Sequence, residues 1–549
     1  MTMKIYGKTK GLMPALLVML AVSCSERDDY NSMPDQSLQG MGSTVWENIC
    51  GTAELSDFAS IIERAGFAEE LQSSKVYTVW APQNGTFDVD ALAGETKENL
   101  LNRFVKNHVA FYRHNLKNGE RKRIQTLNSK SFDFTTQMFG EQAVLKLNAP
   151  GSNGSIHIID GRQKFYPNLY EYITTATGID SVQRYYKKFE TVRLDENASV
   201  PGPVVGGKQT YIDSVMITGN SLFRRLNAYV NREDSSYTAL LPTDDAWKKA
   251  CKCIRPYFNY VAKTAAQDFS VANQIKTKTC NVDAALYCDS MTRNVIISNM
   301  FFNNNHRLNR WLAGGVEPAV DSLFSTSSVG MGNGMEMLSR TLEVERMSNG
   351  MAHIVDSLAF SPNVWAPDII VAGNRSNLRA RTLSAVPEVV RVSEEELGEG
   401  KEYVASYLDL VPSGSVSLPD VYFYLPDVLS TTYEVVAVIV PADIKKGYAG
   451  EVKPNKFTAT VTYSDAKGAL KTVKLTAPDG NTYFVSNTEQ VDYISLGQVT
   501  FPVCYRGIGS YYPTLEIKSY IKNIFDKKEL NAFDRELRIA AVFLRPVIQ

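Results

Sequence analysis

Histidine is scarce, five residues in 549, and no His-Glu-x-x-His, Gly-x-Ser-x-Gly or phosphate-loop pattern occurs. Those absences exclude the zinc-protease, serine-hydrolase and nucleotide-loop signatures. Charge of one sign is lacking too: 58 basic residues face 59 acidic ones. Without a basic excess to neutralise phosphates, a dedicated nucleic-acid binder is not expected. No segment reaches the run of about 18 apolar residues that a membrane-spanning helix needs. What remains is ordinary for globular protein, with 44% hydrophobic and 21% charged residues, so disorder, collagen and coiled coil are set aside. A chain of 549 residues predicts three or four domains at roughly 150 residues each.

The N-terminus reads as an export signal. Lys4, Lys8 and Lys10 precede an apolar run from Gly11 to Val22, and no acid occurs before Glu26. Ala21-Val22-Ser23-Cys24 then resembles the lipobox of bacterial lipoproteins, in which cleavage between Ser23 and Cys24 leaves the cysteine acylated. The other reading is a plain secretory peptide with an incidental cysteine. Removal of residues 1–23 leaves 55 basic against 59 acidic residues, a charge of −4. Residues 24–40 form a polar tether that begins Cys24-Ser25-Glu26-Arg27-Asp28-Asp29. It is similar to the acidic signal that sends some Gram-negative lipoproteins to the outer face of the outer membrane, with a periplasmic location as the alternative. Acyl chains, palmitate among them, would be the membrane attachment, and several on one cysteine suffice.

An internal repeat organises the next three-fifths of the chain. Tyr77-Thr78-Val79-Trp80-Ala81-Pro82-Gln83-Asn84 is matched by Tyr237-Thr238-Ala239-Leu240-Leu241-Pro242-Thr243-Asp244. Asn153-Gly154-Ser155-Ile156-His157-Ile158-Ile159-Asp160 is matched by Asn349-Gly350-Met351-Ala352-His353-Ile354-Val355-Asp356. The offset grows from 160 to 196 residues between the two motifs, so the second copy carries an insertion. In the first motif an apolar strand ends at proline, after which Asn or Asp favours a turn and a helix N-cap. In the second, Asn-Gly suits a type I′ turn. The strand after it puts His157 and Ile159 on one face and Ile156 and Ile158 on the other. Leu55, Phe58, Ile61, Ile62 and Ala65 are spaced for one helix face ending at Gly66.

Both motifs, in this order and twice, resemble fasciclin-like domains, which implies an α+β fold: two β-wedges with flanking helices. The family often has a Tyr-His pair after its second helix. Here the first copy reads Asn107-His108 and the second Ser298-Asn299, a departure that weakens transfer of the pair's adhesive role. The copies are placed at 41–165 and 166–374. Asp195 to Lys208, with Pro201-Gly202-Pro203 and Gly206-Gly207, predicts an inserted loop.

Residues 375–549 share neither motif and predict an all-β sandwich. Phe457, Ala459, Val461 and Tyr463 alternate with threonines, and Tyr433 to Val440 reads as a central strand. Tyr511 and Tyr512, in the aromatic stretch from Tyr505, are candidates to stack on a sugar.

Nothing here names a catalytic residue, a metal ligand or a cofactor. The repeated His157 and His353, and His108 at a helix–strand junction, are expected to be hydrogen-bonded core residues. Cys251, Cys253, Cys280 and Cys288 cluster in the second copy's insertion without zinc-like spacing; export makes disulfides among them the expected use. Asp180-Ser181-Val182, Asp213-Ser214-Val215, Asp289-Ser290-Met291, Asp321-Ser322-Leu323 and Asp356-Ser357-Leu358 resemble an Asp-Ser-apolar tripeptide that is O-glycosylated in some anaerobic bacteria. The expectation is a non-catalytic, outer-membrane-anchored surface lipoprotein for cell adhesion or for binding an extracellular glycan or protein. The alternative is an accessory subunit of an outer-membrane, nutrient-import type assembly.

Overall fold

A computed structural model describes residues 42–548, apart from 195, 197, 198, 214, 215, 273, 308, 310, 311 and 313–322. Ser23, Cys24 and the tether lie outside the described residues. These form two compact units, one ending at Pro167 and the other starting at Asn168. No helix among them is long and apolar enough to cross a membrane.

The first unit is built on the parallel pair that the two motifs make. Tyr77–Pro82 lies beside Gly154–Asp160, with Tyr77 opposite Gly154 and Pro82 opposite Ile159. Val109–Phe111 flanks this pair on one side; Gln142–Gly151, Met138–Phe139, Ser131–Thr135 and Arg121–Gln125 extend it on the other to seven strands. Period-2 alternation gives the strands two faces and two cores. Ile156 and Ile158 join Phe58, Ile61 and Ile62 of helix Ser56–Ala65. Ile159 joins Trp80, Phe134 and Phe139 under the meander. The helix ends at Gly66, whose φ of 70° is the left-handed cap glycine adopts readily.

The second unit opens on the same frame. Tyr237–Pro242 pairs in parallel with Gly350–Val355, Tyr237 opposite Gly350 and Pro242 opposite Val355, and Phe301–Asn303 and Thr341–Met347 complete four strands. Register locates the insertion. Val79 pairs with Val109, and Ala239 with Phe301, so the offset has already reached 192 there. Most of the excess is therefore helix Asp244–Ile254 and hairpin Lys263–Asp268/Lys276–Asn281. The stretch read as an inserted loop is instead a β-ribbon. Glu190–Leu194 pairs with Met216–Asn220, and Val200–Val205 with Lys208–Asp213. Gly206 and Gly207 turn it with φ of 60° and 76°, the two left-handed residues a type I′ turn requires.

The C-terminal region is a sandwich of two six-stranded sheets. Thr432–Ile439 is central, between Asp492–Thr500 and Leu537–Val547. Ile369–Ala372, from before residue 374, also pairs with Leu537–Val547. Phe457, Ala459 and Val461 are buried in the other sheet. The inserted hairpin docks on that sheet: the Ala265 N–H donates to Ser464 Oγ at 3.3 Å, and Thr514 Oγ1 donates to Gln267 Oε1. Arg381 donates to the carbonyls of Phe269 and Gln274, both at 2.9 Å. One apolar core accordingly runs from Leu169 and Trp247 through Phe258 to Val435 and Leu544.

Candidate functional site

The motif side chains are occupied in holding the frame. Asn153 accepts from the Val45 N–H at 2.8 Å and donates to the carbonyls of Leu71 and Ser73 at 2.9 and 2.8 Å. Asn349 does the same in the second copy: it accepts from Leu169 N–H at 2.9 Å and donates to Val230 and Arg232 carbonyls, both at 2.8 Å. Neither Asn153 nor Gly154 has a positive φ, so the expected type I′ turn is not formed there. The asparagine's role is to tie the domain's first helix and a loop to the hairpin. Asn153→Ala is expected to destabilise the first unit by about 3 kcal/mol, since it strands two buried backbone groups and a part-buried third. Thermal denaturation checks this; a loss under about 1 kcal/mol would show that water replaces the amide.

Asn84 likewise differs from expectation. It caps no following helix; its Oδ1 accepts from the Asp57 N–H at 3.0 Å, at the start of the preceding helix. Asp244 repeats this with the Ser181 N–H at 2.7 Å, while Thr243 caps helix Asp244–Ile254. Thr78 Oγ1 donates to the Tyr112 carbonyl and Thr238 Oγ1 to Asn304 Oδ1, each at 2.8 Å. Tyr77 donates to Glu70 Oε1 at 2.5 Å, and Tyr237 is buried. Pro82 and Pro242 end their strands. Asp160 is exposed; Asp356 pairs with Arg340 at 2.9 Å.

The buried imidazoles are neutral and fully engaged. His108 Nδ1 donates to the Phe104 carbonyl, and Nε2 accepts from the Gln163 N–H, both at 2.8 Å. His157 Nε2 donates to the His114 carbonyl at 3.1 Å, and Nδ1 accepts from the Asn148 N–H at 3.2 Å. Burial, above all, pushes both down to about 4. His353 is half-buried, 3.2 Å from Thr341 Oγ1, and burial lowers it too. Strand register makes Met300, not Asn299, the second copy's equivalent of His108, and Asn299 the equivalent of Asn107. The sequence alignment of Asn107-His108 with Ser298-Asn299 is thus one residue out, and the second copy has no imidazole at this place.

Two further expectations change. Cys251, Cys253, Cys280 and Cys288 are free thiols, as are Cys50 and Cys504. Cys251 and Cys253 stand two apart on one helix, so about 200° separates their directions. The aromatic stretch is not an open stacking platform. Tyr505 is buried and accepts from the Ser464 N–H at 2.6 Å. Tyr512 lies against Tyr424, and Tyr511 lies under Lys278 of the hairpin. Of the Asp-Ser tripeptides, Ser214, Asp321 and Ser322 fall outside the described residues. Asp180-Ser181 opens a helix, and Asp289 is ion-paired.

Two clefts open to solvent lie in the second unit. A cavity of about 190 Å³ is lined by Ser181, Arg184, Tyr185, Lys188, Trp247 and Arg293. Helix Asp180–Lys187 is amphipathic, with Val182, Tyr185 and Tyr186 buried, which leaves Arg184 and Lys188 outward, one turn apart. Tyr185 and Trp247 meet at 6.0 Å between ring centres. A second cleft of about 710 Å³ runs along the seam with the sandwich, where Lys252, Arg255, Asn259 and Tyr260 face Thr500, Phe501 and Pro502. That seam is closed beneath by Asn259 Nδ2 donating to the Pro502 carbonyl at 2.8 Å and Tyr260 donating to the Arg506 carbonyl at 2.7 Å. Sequence reading singled out none of these cations. The four-residue spacing of Arg184 and Lys188 was visible, but their nearness to Arg293 was not.

Residues 53–161 match the Fasciclin domain family. No curated protein matches the chain. Among solved structures it is similar to a FAS1 domain pair from the insect cell adhesion molecule Fasciclin I. Identity is 12% over 57% of this chain and 98% of that one, with a TM-score of 0.20. It is also similar to a Clostridium thermocellum xylanase bearing a carbohydrate-binding module, at 12% identity over 30% of this chain and 25% of that one, TM-score 0.19. A non-crystalline-cellulose-specific carbohydrate-binding module matches at 12% identity over 26% of this chain and 73% of that one, TM-score 0.13.

Proposed function

We propose that this fasciclin-domain protein is an acylated outer-membrane lipoprotein, displayed at the cell surface, that binds an extracellular glycan or protein without catalysing a reaction. The observation that carries the reading is the fasciclin domain at 53–161, an adhesion-type, non-catalytic domain. Its motif histidines and asparagine are consumed by structural hydrogen bonds, which supports a scaffold rather than a reactive centre. The lipobox-like Ala21-Val22-Ser23-Cys24 supports anchoring through Cys24.

Palmitate labelling tests the anchor. Label should enter the native chain and not the Cys24→Ser variant, which should leave the membrane fraction. Retention of Cys24→Ser in that fraction would refute lipid anchoring at this cysteine. Protease shaving of intact cells should remove the ectodomain if it faces outward. A stoichiometric membrane partner in a crosslinked pull-down, without glycan or matrix binding by the purified chain, would favour the accessory-subunit reading.

A further inference from the structure

The two clefts of the second unit are joined by one carboxylate. Asp289 Oδ1 lies 3.0 Å from Arg293 Nη2, of the smaller cavity, and 3.6 Å from Arg255 Nη1, of the larger. A guanidinium from each cleft therefore shares one oxygen, and the cations form a continuous line: Lys188 and Arg184, then Arg293, Arg255 and Lys252.

The protein neutralises this line only in part. Asp289 serves two arginines. Asp244, ionised beside Arg184, also accepts from the Ser181 N–H, so two carboxylates face five cations and the line keeps a net positive charge. Lys188 and Lys252 make no ion pair among the described residues. Arg184, Lys188, Lys252 and Arg255 are exposed, so they keep their charge at low desolvation cost. Apolar surface between the charges is narrow: Tyr185 and Trp247 in the first cleft are each 6% exposed and Phe501 in the second 1%, with half-buried Pro502 beside it.

We infer that the paired clefts bind an acidic polysaccharide, a chain with carboxylate or sulfate groups on successive sugars. The inference rests on the reading of the protein as an extracellular binder and names its ligand class. Spaced anions match spaced guanidiniums, which hold oxyanions bidentately. Half-buried Pro502 and the exposed rims of Tyr185 and Trp247 are the apolar surface a sugar ring would meet between them. Five cations on a chain without basic excess are fewer than the six to ten phosphate contacts of a typical DNA-binding surface, which favours a saccharide over nucleic acid.

The test is titration of the full chain with polygalacturonate, dextran sulfate, neutral dextran and duplex DNA, alongside attachment of cells displaying the chain to surfaces coated with extracellular matrix. At least one acidic polysaccharide should bind, more weakly as salt rises, and neutral dextran should not. Preference between the two polyanions distinguishes carboxylate from sulfate. Arg184→Ala/Lys188→Ala and Lys252→Ala/Arg255→Ala should each weaken binding by about tenfold or more, whereas Lys474→Ala, an exposed change in the sandwich, should not. Equal binding by all variants, or tighter binding of DNA than of either polysaccharide, overturns the assignment. Chain-dependent attachment without polyanion binding overturns this site and leaves the broader role standing; absence of both overturns the two together.

Discussion

Acidification from neutral to about pH 4.5 is expected to weaken the first unit while sparing the second. His108 and His157 are held near 4 by burial, against 6.5 when exposed. The charge of Arg162 adds to the effect on His108, and that of His114 to the effect on His157. The folded first unit binds fewer protons than its unfolded chain between those values. Stability fully present above 6.5 is therefore lost as pH falls through 4, at about 3 kcal/mol for each imidazole.

In the second unit, two sandwich carboxyls work in the opposite sense. Asp409 is raised to about 7 by burial and by Glu536, against the pull of Arg538, and Asp420 to about 7 by burial and by Glu516, against Lys518. Their stabilisation is complete below the carboxyl's unfolded value near 3.9 and is lost as pH rises through 7. Acidification should return about 2–4 kcal/mol in all after solvent screening, with half-buried His353 opposing part of the gain. Hydrogen exchange at 77–82 and 154–160, compared with 432–439, reads the two units separately. Undiminished protection of the first two segments at pH 4.5 would contradict neutral buried imidazoles.

Gly154→Ala and Gly350→Ala should be the most damaging single substitutions in their modules. A Cβ at Gly154 would stand 2.0 Å from the Tyr77 carbonyl oxygen, and one at Gly350 1.8 Å from that of Tyr237. The obstacle is backbone on a central strand, so relief requires the parallel pair to separate along its length. Gly350 adds strain, since its φ of 144° disfavours any side chain. A loss of about 4 kcal/mol or more is expected, lowering the melting temperature of the affected unit by about 10 °C or more. Gly85→Ala is the control: its φ is 74° but nothing lies within 4 Å, so only about 1–2 kcal/mol of left-handed strain applies. A Gly154→Ala protein melting within a degree of the native one would overturn the close-approach argument.

The motif glycines show how legible the molecule was. Their position opening a strand could be read from Asn-Gly and the apolar alternation after it, yet the reading assigned them to a turn. The close approach that demands glycine involves Tyr77 and Tyr237, 77 and 113 residues earlier in the chain, and parallel pairing over such distances leaves no local trace. Asn84 failed in the same way. Its type announced a cap, but the helix it caps lies behind it in sequence. The Gly206-Gly207 turn was in plain sight, but the exposed Val204, Val205 and Ile212 beside it lacked the half-buried alternation by which a strand is recognised.

By itself the sequence determined the duplicated module, the helix Ser56–Ala65 with its glycine cap, the alternating strands of the sandwich and the scarcity of reactive side chains. Each depends on neighbours a few residues apart, where periodicity and turn chemistry act. Only the tertiary structure decided that the second module and the sandwich share one core through the inserted hairpin, that the four inserted cysteines are free thiols, and that Arg184, Arg293 and Arg255 line one path. Those outcomes depend on which distant backbones pack together, and packing is settled by the summed burial of both partners rather than by the pattern of either.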